Sequence, residues 1–195
     1  MPIPRSIAML LAVPAAYAQA PAPMQVPNVP VEYFGVTFPT EVGGAPRISV
    51  RNYESENPGL GYSAGYRHGE ATSTIYIYDN RVPSIPDDVK SAALRSQFEQ
   101  AKADIGRVPQ VSIKAKSAFT LHDKSKRDRL ICQGYAMTRQ QDSRAFDTFV
   151  CLGVFKGKFL KVRTTMPQTA NAEAEVRRFV GLWVEQLWNP SAAAR

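Results

Sequence analysis

Histidine and cysteine each occur only twice in this chain of 195 residues, as His68, His122, Cys132 and Cys151. A zinc-type centre needs three or four convergent ligands, so none forms here unless carboxylates gather beside these residues. The two cysteines are not spaced as Cys-x-x-Cys, which removes the thioredoxin-like redox motif. Long apolar runs are missing too. The longest, Ile7 to Ala18, is broken by Pro14 and falls short of the ~20 residues that a membrane-spanning helix requires. Acidic residues are outnumbered, 17 against 24 basic ones, for a formal net charge of +7. Gly59, Gly61, Gly65 and Gly69 cluster, but no Gly-Lys-Ser/Thr follows and no helix start stands behind them, so a phosphate loop is excluded.

What is present at the N-terminus is a leader pattern. Arg5 gives a positive start, Ile7 to Val13 an apolar stretch, and Ala16-Tyr17-Ala18 the small residues at −3 and −1 that a signal peptidase reads. Cleavage after Ala18 is expected, because a cut after Ala20 would place Pro21 at +1. No cysteine follows the apolar stretch, which argues against a lipid-modified terminus. Residues 19–30 carry four prolines among small residues and read as an extended tether. The expected folded body is one soluble domain over 31–190, with a short tail at 191–195. Such a protein is expected to be periplasmic or secreted.

Within the body, Leu94, Phe98, Ala101 and Ile105 recur at helical spacing. Asp87 and Asp88 suit the start of that helix and Gly106 its end. A second stripe comprises Val176, Phe179, Val180, Trp183 and Leu187, with Glu173 and Glu175 in the first turn and Asn189-Pro190 as the stop. Thr169 or Asn171 is placed to cap it. Strands are expected near 33–38, 47–53, 60–67, 72–79, 111–121, 130–140, 146–155 and 158–166, from alternation and β-branched or aromatic content. Hairpin turns fall at Arg67-His68-Gly69-Glu70, around Gln141-Asp142-Ser143, and at Lys156-Gly157. The first turn predicts Gly61 opposite Tyr76 and Gly65 opposite Thr72. The order ββββ-α-ββββ-α gives an α+β class, a mainly antiparallel sheet of about 6–8 strands packed with two amphipathic helices.

That element order, over residues 33 to 188, resembles the PsbP/Mog1-like α/β/α sandwich proteins, a group that includes small exported bacterial domains. The segments Tyr33-Phe-Gly-Val-Thr-Phe-Pro39 and Thr74-Ile-Tyr-Ile-Tyr-Asp79 are similar to those of uncharacterised exported proteobacterial proteins. The resemblance implies the sandwich fold and export, and carries no functional residue with it.

A hairpin turning at Gln141-Asp142 pairs residues whose numbers sum to 283, and Cys132 and Cys151 meet that condition. The same register sets Gly134 against Phe149 and Ile131 against Leu152. Directly opposed cysteines in an oxidising compartment close a disulfide. Leu130, Ile131, Val150 and Leu152 surround the sulfurs with apolar material, which favours a structural staple over a redox pair.

Candidate chemistry is sparse. His68 stands beside Glu70 in a turn, and His122 precedes Asp123, an adjacency that does not orient an imidazole. Gly61-Tyr62-Ser63-Ala64-Gly65 fits the nucleophile-elbow string, but the strand–turn–helix context that the motif needs is absent. Tyr62, Tyr66, Tyr76 and Tyr78 cluster on one hairpin, two to each face. Lys124, Lys126, Arg127 and Arg129 form a basic loop suited to anions. Lys156, Lys158, Lys161 and Arg163 form a second basic group, with Lys161 and Arg163 on one sheet face. A site assembled from scattered carboxylates such as Asp79, Asp123 and Asp147 stays open. The expected function is a non-catalytic accessory or binding domain for an envelope protein or an anionic envelope component, with no cofactor, metal or nucleic acid. The alternatives are a small-ligand carrier or enzyme with a helix–sheet pocket, and attachment to an anionic envelope surface through the basic loops.

Overall fold

The computed structural model describes residues 28–189. The leader with Ala16 and Ala18, the first part of the proline-rich tether, Pro190 and the 191–195 tail lie outside the described residues. The alternating segments fold into β1 (Val31–Tyr33), β2 (Val36–Phe38), β3 (Glu41–Val42), β4 (Ala45–Asn52), β5 (Tyr62–His68), β6 (Ala71–Tyr78), β7 (Val111–His122), β8 (Asp128–Arg139), β9 (Ala145–Phe155) and β10 (Lys158–Pro167). The two periodic stretches form α1 (Ala92–Gly106) and α2 (Ala172–Trp188). β1 and β2 make a separate hairpin. The other strands form one sheet of eight, in the order β3-β4-β5-β6-β10-β9-β8-β7, and every neighbouring pair is antiparallel. The class is α+β, as the pattern indicated.

Three local expectations are corrected. The strand expected at 33–38 is a hairpin, turned by Phe34 and Gly35 at φ 53° and 69°, so among the described residues six short strands rather than four precede α1. Two successive positive-φ residues make the tight turn whose twist matches antiparallel strands; a phenylalanine in such a turn carries no sequence signal. The β5–β6 turn is Gly69-Glu70, because His68 pairs with Ala71. The register therefore sets Gly65 against Thr74 and Ser63 against Tyr76. Gly61 precedes β5, and a Cβ there would lie 1.9 Å from the Ile77 carbonyl oxygen. Its role is close backbone approach at φ 62°, not cover by a tyrosine. Finally, α1 starts at Ala92, with the Ser91 side chain accepting from Leu94 N–H. Arg107 rather than Gly106 is its C-cap. Asp87 lies outside the helix and is paired elsewhere.

The two sheet faces are covered unequally. On one face, Tyr66, Ile75, Ile77, Phe149, Leu160 and Val162 pack against Val176, Phe179, Val180 and Trp183 of α2. The β1–β2 hairpin closes the end of this layer through Val36 and Phe38. On the other face, α1 lies over β9: Leu94 packs with Leu152 and Val154, and Ala101 and Ile105 with Met137 and Val150. One helix of 15 residues is about 22 Å long and cannot cover eight strands.

The hairpin register summing to 283 is present, with Gly134 opposite Phe149 and Cys132 opposite Cys151. The two cysteines are joined by a disulfide, with a sequence separation of 19. Both lie in the core on the α2 side. Closing a loop of that size contributes on the order of 3 kcal/mol in the chain-entropy account.

Candidate functional site

Residues directly opposed across a sheet share a face. The pairings therefore build, on the α1 side, the rows Arg51–Ser63–Tyr76–Lys161, Gly65–Thr74–Arg163 and Arg67–Thr72–Thr165. These rows continue into Leu152, Val150 and Thr148 of β9. Beyond β10 the apolar residues meet α1. Before it, across β4, β5 and β6, the face carries arginine, threonine and tyrosine. The helix reaches this half at its β10 border, where Gln97, Gln100 and Asp104 stand beside Tyr76, Tyr78 and Lys161. Beyond that border lies a polar cationic strip on which Arg51, Arg67 and Thr72 are exposed.

Two cavities occupy the strip. The first, about 340 Å³, lies where α1 meets β6 and β10, and Tyr53, Tyr76, Tyr78, Gln97, Asp104 and Lys161 help to line it. Lys161 Nζ stands 4.4 Å from the Tyr76 ring centroid and 5.4 Å from that of Tyr78, a cation–π arrangement. Burial pulls the Lys161 ammonium below its ordinary pKa, and Asp104 opposes that. Burial also raises Tyr76 and Tyr78 above the ordinary phenol value, and Gln97 donates to the Tyr78 hydroxyl. The second cavity, about 440 Å³, is lined by Arg67, Arg139, Arg144, Thr72, Thr165 and Phe146 among others. Arg139 is paired with Asp142 at 3.1 Å. Among the described residues, Arg51, Arg67, Arg144, Lys161 and Arg163 enter no ion pair.

The basic loop has a different character. Lys124 pairs with Glu185 of α2 at 2.8 Å. Arg127 lies 3.4 Å from Asp87, and Arg129 bridges Asp87 at 2.9 Å and the buried Asp123 at 2.8 Å. Asp123 also accepts from the Ser125 hydroxyl and the Arg127 amide, and these bonds, Ser125 first, hold its carboxyl well below the usual range. The Arg129 guanidinium lies 5.5 Å from the Trp188 ring centroid. Lys126, at φ 66°, belongs to the turn itself and forms no ion pair among the described residues. The loop is laced to the body by its own charges.

The remaining sequence candidates are dispersed. His122 Nδ1 lies 2.6 Å from Asp128 across the β7–β8 hairpin, not beside Asp123. Asp79 pairs with Lys158 and Asp147 with Lys116, so the three scattered carboxylates each meet a cation rather than one another. No group of three or more His, Cys, Asp or Glu side chains suited to a metal occurs among the described residues. No helix among them is long and apolar enough to cross a membrane. Ser63 is buried within β5, between strands rather than ahead of a helix.

One Ser–His contact escaped sequence reasoning, because its partners meet only through the β5–β6 register. His68 Nε2 lies 2.9 Å from Ser73 Oγ, which in turn lies 2.7 Å from Thr164 Oγ1. Ser73 and Thr164 are buried, so this serine is unreachable by a substrate. The His68 ring stacks on Phe179 of α2, centroids 4.4 Å apart. Burial lowers the His68 pKa; Glu175 of α2 opposes that and Arg178 reinforces it. A histidine with a depressed folded-state pKa is more readily protonated in the unfolded chain. Stability is then complete above about pH 6.5 and falls as pH drops through that value towards the folded pKa. Urea denaturation between pH 7.5 and 5 should show this loss, and His68→Gln should flatten it; an unchanged pH slope would remove His68 as the cause.

No protein-family model and no curated protein matches the sequence. Among solved structures the chain is similar to PA94, a Pseudomonas aeruginosa protein of unknown function, at 9% identity and a TM-score of 0.39, covering 75% of this chain and 87% of that one. It is also similar to the Saccharomyces cerevisiae Ran-binding protein Mog1p, at 12% identity and a TM-score of 0.40, covering 84% and 93%. A point variant of Mog1 gives 13% identity, a TM-score of 0.39, and coverage of 84% and 92%. At this level of similarity neither residue roles nor partners pass to the present chain.

Proposed function

We propose that this protein is an exported, non-catalytic binding domain that holds an anionic component of the cell envelope against the open half of its sheet. The observation that carries the reading is the cationic strip. Arg67, Lys161 and Arg163 stand on neighbouring rows of one face and enter no ion pair among the described residues. Like charges held together on a rigid surface repel, and a bound anion relieves that repulsion while gaining bidentate arginine contacts. The basic loop offers less, since Lys124, Arg127 and Arg129 already have acidic partners. Export is supported by the leader pattern ending at Ala18 and by the disulfide between the chain's only two cysteines, a bond at home in an oxidising compartment.

Salt-dependent retention on immobilised dextran sulfate tests the site. The triple variant Arg67→Gln, Lys161→Gln, Arg163→Gln should bind at least roughly tenfold more weakly at fixed salt. Lys124→Gln, Lys126→Gln, Arg127→Gln, which removes the same charge from the loop, should change binding far less. Equal losses in the two variants would mean that net charge, not the strip, holds the anion. Isolation from the native host of a chain beginning at Gln19 with no free thiol would support export; full-length reduced protein would refute it.

A further inference from the structure

The two cavities of the strip are chemically unlike. In the first, Tyr53 and Tyr76 present aromatic surface, Lys161 supplies a cation, and Asn80, Gln100 and Asp104 add amide and carboxylate groups able to pair with hydroxyls. The second is rich in arginine, and the side chains of Arg67 and Arg144 enter no ion pair among the described residues. They lie on the same two strands. From Tyr76 to Thr72 on β6, or from Lys161 to Thr165 on β10, is four residues, about 13 Å of extended chain. Thr74 and Arg163, opposite each other, fill the interval. The strip is a track with a ring-and-hydroxyl station at one end and an anion station at the other.

We propose that this track binds a segment of acidic polysaccharide of the uronate type, a deepening that rests on the open-face reading above. A sugar ring lies on the tyrosines of the first cavity, and carboxylates meet Lys161, Arg163 and the arginine cavity. Tyrosine offers a rigid, flat apolar face at low entropy cost, suited to the CH-rich face of a pyranose. Asp104 and Glu70, which line the cavities beside the cations, would repel a densely charged polyphosphate or nucleic acid strand. A chain with one carboxylate per ring and several hydroxyls uses both the cations and the acids. An acidic peptide is disfavoured because β5, β6 and β10 are interior strands. Their backbone groups are taken by neighbours, so no strand edge is offered for augmentation.

Calorimetry on the disulfide-bonded chain tests this with three probes: oligogalacturonates of graded length, the same oligomers fully methyl-esterified, and polyphosphate of matched charge. The acidic oligomers should bind saturably, gain affinity with length until the track is filled, and lose roughly tenfold or more on esterification. Tyr53→Ala, and separately the exposed Gln100→Ala, should weaken oligogalacturonate binding and leave polyphosphate affinity unchanged. If polyphosphate binds as tightly as the uronate and neither variant matters, the glycan assignment fails while the open-face reading stands. If neither probe binds saturably, both fail.

Discussion

Trp183→Ala should destabilise the protein by about 3–5 kcal/mol, the usual range for emptying a large aromatic site in a core. Trp183 is 0% exposed, at the centre of the α2 stripe. Its ring lies 5.9 Å from Phe38 of β2 and 5.5 Å from Tyr66 of β5, centroid to centroid. It therefore joins three elements: the helix, the small hairpin and the large sheet. Tyr66 is itself fixed, its hydroxyl donating to the Pro39 carbonyl at 2.9 Å, so the surroundings have little freedom to collapse into the void. For a domain of this size the loss corresponds to a fall in melting temperature of roughly 6–20 °C. Trp183→Phe should cost far less. The indole N–H is buried with no hydrogen-bond partner among the described residues, so phenylalanine removes an unsatisfied donor along with the volume. A melt showing the two variants equally damaged would mean that the lost ring volume is not what decides stability here.

How much of this was legible in the sequence depends on the range of the interaction. Cys132 and Cys151 were readable because both sit on one hairpin, where a single turn fixes every pair. The β5–β6 hairpin was readable in outline, yet slipped by two residues because His68-Gly69 reads as the turn, whereas the chain turns at Gly69-Glu70. A slip of two keeps each side chain on its face, so the division of Tyr62 and Tyr66 from Tyr76 and Tyr78 survived the error. Lys161 and Arg163 could be placed together by alternation alone. Their neighbours Arg67 and Arg51 could not, because β6 pairs with β10 across more than 80 residues of chain and no local pattern announces that adjacency. The partners of the basic loop are hidden for the same reason. Arg129 reads as a free cation until Asp87, 42 residues earlier, is folded against it.

Lys116→Met should also destabilise strongly, by about 3 kcal/mol, for an electrostatic reason. Asp147 of β9 is 0% exposed, and its charge is met by Lys116 Nζ at 2.7 Å, with Gln168 donating from 3.4 Å. β7 brings the lysine inward through a register shift between Ala115 and Ala118, a bulge that redirects Lys116 and Ser117 towards the start of α2. There Ser117 donates to Glu173, which Arg177 also holds at 2.7 Å. These bonds keep the Glu173 carboxyl below its ordinary pKa, the Ser117 hydroxyl foremost. Removing the lysine alone leaves a buried carboxylate without its counter-charge. The figure sits at the low end for a buried pair because a third of the lysine side chain still faces water. The double variant Lys116→Met, Asp147→Leu should therefore regain most of the loss, since it removes the stranded charge and adds apolar volume beside Met166. A double-mutant cycle by urea denaturation measures that coupling directly. If the double variant is as unstable as the sum of its parts, the pair is not acting as an ion pair, and the bulge has some other purpose.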